Sequence, residues 1–152
     1  MKKRVALLDV NVLIALFDPD HPHHEIAHDW FSDERTGGWA TCPATENGLI
    51  RVLSNPSYAG TVTRPVDLVD RLRRFCASGH HAFWDRSVSL RDDALFVPRS
   101  VTSSRQITDV YLLGLATQMR GRLVTFDRSI PLGAVVGATA EHVAVIAPGD
   151  AR

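Results

Sequence analysis

Asp9, Glu46, Asp109 and Asp127 are far apart in the chain, yet each stands at the border of an apolar stretch: "RVALLD", "TENGLI", "ITDVYLL" and "RLVTFD". Singly, each has an ordinary explanation. Glu46 and Asp109 suit helix N-termini on dipole grounds. Asp127 suits the turn "FDRS", and Asp9 suits the cap of the helix that follows it. Together they suggest chemistry. Four carboxylates in one place repel, and some must take up protons unless a divalent cation neutralises them. A donor set of hard oxygens without histidine or cysteine points to Mg²⁺ or Mn²⁺. One or two such ions activate a water and stabilise the leaving oxygen of a phosphodiester.

Convergence requires elements that carry these residues to one edge. The run Arg4 to Asp9 is continuously apolar, as in a strand covered on both faces. "VNVLIALF" continues as a helix, broken by "DPDHP". A second helix spans His23 to Arg35, and "GGWATC" is a turn and a short strand. Pro43 fits the first turn of the next helix, which carries Leu49, Ile50 and Leu53 at helical spacing. A loop runs from Asn55 to Pro65, and a helix from Val66 to Ala77. Gly79 to Val101 is the least patterned region, with "HAFWD" a strand and "VSLRDD" a turn. Ile107 to Arg120 is a helix, and Arg122 to Asp127 and Glu141 to Ala147 are strands. Strands alternating with helices imply an α/β fold: one domain over 1–152, a parallel sheet with helices on both faces. In such sheets the ligand site lies beyond the carboxyl ends of the strands. Asp9 and Asp127 end strands there, and Glu46 and Asp109 begin helices there, Asp109 with Thr108 as N-cap. Asn11, Thr108 and Thr125 reach the same edge, either to orient a carboxylate or cation or to bond the local backbone.

Composition narrows the class. Net charge is zero, so there is no global nucleic-acid signature. Lysine occurs only at Lys2 and Lys3, and the other fifteen cations are arginines. That excludes P-loop NTPases, receiver domains and most haloacid-dehalogenase-type phosphatases, which need an internal lysine. Arginine suits bidentate phosphate contacts, although a GC-rich genome also favours it. Cys42 and Cys76 match no metal or redox spacing and read as free buried thiols. No apolar run is long enough for a bilayer. The N-terminal apolar stretch is interrupted by Asp9 and Asn11 without a clean cleavage site, so a cytoplasmic location is expected.

A rival motif must be weighed. "HEIAH" (His24 to His28) matches H-E-x-x-H, in which two histidines hold Zn²⁺ and Glu25 serves as general base. The surrounding "HPHHEIAH" is rich in histidine, which raises the chance of coincidence. The downstream third ligand would have to be His80, His81 or His142, at no recognised spacing. An exposed helix face, or a cluster touching RNA or a partner, are the other readings of His21 to His28.

The four segments "LLDVNVLIAL", "TENGLIRVLS", "ITDVYLLGLA" and "RLVTFDRSI" resemble the acidic motifs of PIN-domain ribonucleases, most of all the VapC-type toxins of bacterial toxin–antitoxin pairs. The likeness spans nearly the whole chain, in motif order. It implies a single PIN-like domain and a Mg²⁺- or Mn²⁺-dependent endoribonuclease with Asp9, Glu46, Asp109 and Asp127 as acidic site residues. It also implies a homodimer, a cognate antitoxin protein and a structured RNA substrate such as tRNA or ribosomal RNA, with mRNA also open. RNA approaching an acidic pocket needs cations along its path; Arg51, Arg105 and Arg128 are the best placed. Trp30, Phe31 and Leu53 suit either the core or a groove for an antitoxin helix. Asp85, Asp92 and Asp93 read as loop and turn residues. A degenerate, non-catalytic module that only holds RNA or a partner is the alternative, and the complete acidic set argues against it.

Overall fold

A doubly wound order emerges from five short strands. The computed structural model describes residues 3–58 and 63–147. Its elements in chain order are β1 (Ala6–Leu8), α1 (Val10–Phe17), α2 (His24–Glu34), β2 (Trp39–Thr41), α3 (Pro43–Leu53), α4 (Pro65–Cys76), β3 (His81–Phe83), α5 (Ile107–Gln118), β4 (Arg122–Thr125) and β5 (Val143–Val145). The sheet order is β3-β2-β1-β4-β5 and every pairing is parallel. The chain builds outward from β1 to β3, then returns to β1's other side with β4. The crevice between the carboxyl ends of β1 and β4 is therefore the switch point at which such sheets bind ligands.

Strand periodicity divides the core in two. Ala6, Leu8, Trp39 and Val124 face one layer, where Val12, Leu13, Leu16 and Phe17 of α1, Ala27 and Phe31 of α2, Leu49 of α3 and Leu68 of α4 cover them. Leu7, Ala40 and Leu123 face the other, under Val110, Leu113 and Leu115 of α5 together with Trp84, Phe96 and Val135. This is why the β1 sequence does not alternate: both faces are dry. Each fully buried leucine contributes about 1.5–3 kcal/mol. Trp39 anchors the first layer, its ring 5.2 Å from Phe31 and 4.6 Å from Phe75, with its indole N–H donating to the Gly79 carbonyl at 3.0 Å. Phe31 and Leu53 are buried in this core, and Trp30 packs against it, so these residues serve packing.

Expectation and structure agree on the α/β class and the two-sided parallel sheet. Boundaries shift at the ends. β4 stops at Thr125, two residues before Asp127, and β5 is preceded by a 3₁₀ turn over Ala140–His142. Pro65, placed in a loop by the sequence, opens α4, because its fixed φ suits a first helical position. In the Gly79–Val101 region His81–Phe83 is a strand. A further isolated antiparallel bridge joins Phe96 to Val135 and was not anticipated.

Candidate active site

Asp9 follows the last residue of β1 and N-caps α1 with extended backbone. Its Oδ1 accepts the Val10 N–H at 2.7 Å, and its Oδ2 accepts the Thr125 hydroxyl at 2.8 Å. Capping and site membership, which the sequence offers as alternatives, are thus compatible. The residue is 3% exposed. Thr125 ends β4, is itself buried, and its oxygen also accepts the Asp127 N–H at 3.1 Å. One hydroxyl thereby ties together the ends of β1 and β4. Asp127 folds back in a tight turn, its Oδ1 accepting both the backbone N–H and the hydroxyl of Ser129, at 2.8 and 2.6 Å. Sequence reading named the "FDRS" turn but not Ser129 as the residue that orients Asp127.

Asp109 sits in the first turn of α5. Burial is the largest influence on it and the charge of Asp9 the next; with hydrogen bonding to Asp127 they push its carboxyl up to about 7. Burial also raises Asp9, against hydrogen bonds from Thr125, the Val10 backbone and Asp109, while the charge of Asp127 raises it further. Asp127 is held below the usual carboxylate range, mainly by the Ser129 hydroxyl and backbone N–H. Three carboxyls thus share one neighbourhood, and burial with mutual charge favours retention of a proton by the Asp9–Asp109 pair. Such crowding is what a divalent cation relieves, and the facing atoms are all hard oxygens.

Glu46 is oriented differently. It lies in the first turn of α3, whose N-terminus is held by Pro43 and by Thr45, which bonds the Cys42 backbone. Gly48 lets this helix lie against α1, where an added Cβ would come within 2.8 Å of Val10. The Glu46 carboxylate accepts the Thr41 hydroxyl at 2.7 Å and faces Cys76 and His81. The structure therefore brings Asp9, Asp109 and Asp127 together, with Glu46 turned toward β2 and β3.

Asn11 and Thr108 are exposed and make no side-chain hydrogen bond to a described residue. Thr108 does not cap α5, because a 3₁₀ turn over Ser104–Gln106, itself capped by Ser103, runs straight into the helix and makes Gln106 the N-cap. Arg51, Arg105 and Arg128 are exposed, with no carboxylate within ion-pair distance among the described residues. Asp85, Asp92 and Asp93 are exposed loop residues, and Asp92 bonds the Ala94 N–H at 2.9 Å. Cys42 is buried; Cys76, expected to be buried as well, is only partly so, because α4 ends at it.

The His24 and His28 rings lie 4.4 Å apart. His24 Nδ1 is 2.6 Å from the Ala15 carbonyl oxygen, a contact in which the ring nitrogen donates. Among the described residues no mixed cluster of metal-binding side chains includes His24 or His28, so HEIAH has no third ligand. His21 and His23 pack instead against Phe126, at 6.4 and 4.9 Å between ring centres.

Known proteins share this arrangement of sequence. The PIN domain family model matches residues 6–134. Ribonuclease VapC44 of Mycobacterium tuberculosis strain H37Rv is 45% identical over 141 residues, covering 93% of this chain and 99% of the relative. Ribonuclease VapC39 of the same strain is 41% identical over 132 residues, covering 87% and 95%. Ribonuclease VapC38 is 44% identical over 126 residues, covering 83% and 87%.

Proposed function

The chain belongs to the PIN-domain family, in its VapC ribonuclease branch, and from that premise we propose that it is the endoribonuclease toxin of a toxin–antitoxin pair, dependent on Mg²⁺ or Mn²⁺. The observation that carries the reading is the meeting of Asp9, Asp109 and Asp127 at the β1–β4 crevice, with Asp109 pushed to about 7 by burial and by its neighbour's charge. Asp9, Asp109 and Asp127 would hold the cation, and Glu46 would join them by turning away from Thr41. When bound, the cation supplies Lewis acidity for attack of water on an RNA phosphodiester and for departure of the leaving oxygen.

The chain's own residues do the positioning. Thr125 donates to Asp9 and fixes the Asp127 backbone, so both carboxylates keep their orientation before the cation arrives. Ser129 occupies one oxygen of Asp127, which directs the other toward the crevice. Arg51, Arg105 and Arg128 draw the RNA backbone toward an otherwise repulsive pocket. The partners in this reading are a structured RNA, a cognate antitoxin and a second copy of the chain, acting in the cytoplasm. No helix among the described residues is long and apolar enough to cross a membrane.

The test is cleavage of total RNA by wild type and Asp109→Asn, each with Mg²⁺, with Mn²⁺ and with chelator. Discrete products from the wild type with metal alone, and none from the folded variant, are expected. Equal behaviour of the two proteins would overturn the reading.

A further inference from the structure

Apart from the three aspartates, one other cluster gathers groups of metal-binding type. Glu46, Cys76 and His81 each offer a ligand atom, and these atoms lie within 4.8 Å of one another. They come from three elements: the first turn of α3, the last residue of α4 and the first residue of β3. All three residues are partly buried, and Thr41 beside them is fully buried. The Thr41 hydroxyl donates to Glu46 at 2.7 Å and lies 2.8 Å from His81 Nε2. A hydroxyl has one proton to give. With that proton on Glu46, the second contact runs from the His81 Nε2–H to the Thr41 oxygen, which leaves Nδ1 as the ring's lone-pair nitrogen. Thr41 thus bonds both Glu46 and His81 and holds the two side chains side by side, as oxygens behind ligating side chains do. His81 is also held by packing, its ring 4.5 Å from that of Trp39.

We propose that Glu46, Cys76 and His81 form a binding site for a zinc-class cation, distinct in chemistry from the aspartate centre. A thiolate, an imidazole and a carboxylate match Zn²⁺ and its borderline-soft neighbours, whereas Mg²⁺ takes oxygen ligands. Tetrahedral Zn²⁺ sets its sulfur and nitrogen ligands about 3.5 Å apart. The three ligand atoms lie within 4.8 Å of one another before any cation is bound. Three protein ligands leave a fourth position for solvent. The site has a consequence for the RNA-cleaving centre, and this part alone rests on the function proposed above. A cation bound here holds Glu46 against β2 and β3, and so withdraws it from the β1–β4 crevice.

The experiment uses the untagged full-length protein. Zn²⁺ is titrated against a chromophoric chelator in excess Mg²⁺, and Co²⁺ serves as the spectroscopic probe. The proposal expects one Zn²⁺ per chain, undisturbed by Mg²⁺, and a Co²⁺ complex with thiolate-to-cobalt charge-transfer absorption. Cys76→Ser removes that band, and both Cys76→Ser and His81→Ala weaken Zn²⁺ binding by at least about tenfold. The His24→Ala/His28→Ala double variant and Asp109→Asn leave binding and band intact. A wild type without the charge-transfer band overturns the proposal, and this observation needs no variant to fold. So does Zn²⁺ binding that survives Cys76→Ser and His81→Ala but vanishes in the His24/His28 double variant. The two readings fail separately. Metal-dependent cleavage without a zinc-class site sinks this inference alone, and a protein that binds zinc but, freed of zinc and given Mg²⁺ or Mn²⁺, cleaves no RNA sinks the nuclease reading alone.

Discussion

Two neighbourhoods, one at the carboxyl ends of β1 and β4 and one beside β2 and β3, present opposite chemistry. Between β1 and β4, Asp9, Asp109 and Asp127 offer only oxygen, and their mutual charge together with burial lifts Asp109 to about 7. Beside β2 and β3, Glu46, Cys76 and His81 offer oxygen, sulfur and nitrogen around a buried Thr41. There the pressure falls on the thiol: burial, then the Glu46 charge, pushes Cys76 up to about 11. Topology makes the difference. The reversal of strand order opens a crevice at β1–β4 into which three separate elements drop carboxylates. At β2–β3 the order does not reverse, and Cys76 at the end of α4 and His81 at the start of β3 approach Glu46 from the amino side. Like charges gathered without a counter-ion call for a hard cation, whereas a mixed donor set selects a softer one.

The largest way to break this contrast is Asp109→Asn. RNA cleavage is expected to fall by about a hundredfold or more, read as initial rate at saturating Mg²⁺. The same variant bears on stability without metal. Asp109 titrates at 3.8 when unperturbed and at about 7 in the folded chain. The folded state therefore binds the extra proton across that window, and metal-free stability falls as pH rises from about 4 to about 7. Asp9, also raised, acts in the same direction. Asp18 and Glu34 are held low by their partners, so their opposite contributions are lost mainly at more acid pH, whereas His21 and His81, lowered by burial, gain stability as pH rises toward 6.5 and partly offset the decline. Thermal melts of the chelated protein are expected to show this decline, and Asp109→Asn or saturating Mg²⁺ to flatten it. Equal pH slopes for metal-free wild type and Asp109→Asn would contradict the crowding. Next in size is Thr125→Val, which leaves buried Asp9 without its hydroxyl donor. A loss of about 1–3 kcal/mol in denaturant unfolding is expected, with weaker Mn²⁺ binding. A variant as stable as wild type would show that the bridge between β1 and β4 is dispensable.

Glu46→Gln sharpens the comparison from the other side. Cleavage is expected to fall by about tenfold, less than for Asp109→Asn, and the metal-free stability slope to stay as in wild type. A loss equal to that of Asp109→Asn would place Glu46 fully within the aspartate centre. The smallest effects are expected from Arg51→Ala, Arg105→Ala and Arg128→Ala, each lowering the salt slope of RNA binding by about 1. An unchanged slope would remove that arginine from the RNA path.

Much of this was legible before the structure. The uninterrupted apolar run of β1 and the long apolar stretch of α5, closed by Gly121, fix the layers that carry Asp9 and Asp109, and parallel topology brings their ends to one edge. Thr125 was legible as a neighbour because it stands two residues before Asp127 in the segment "RLVTFD", which reads as one strand. The direction of Glu46 was not. A carboxylate in a first helical turn can reach either adjoining strand, and only the buried Thr41 hydroxyl decides between them. Cys76 was read as a free thiol and His81 only as a candidate third ligand for HEIAH, because the contact joining them crosses a turn in which Gly79 and His80 have positive φ, and a strand of three residues carries little periodic signal. Ser129 was missed for a simpler reason. A serine after "FDR" looks like turn chemistry, and here the turn is also what aims Asp127.

The most direct test counts bound Mn²⁺ by electron paramagnetic resonance in wild type, Asp109→Asn and Cys76→Ala. The account predicts binding in wild type and Cys76→Ala and its loss in Asp109→Asn. Mn²⁺ binding that survives Asp109→Asn and disappears in Cys76→Ala would contradict it, and would move the hard-cation site from the β1–β4 crevice to the β2–β3 edge.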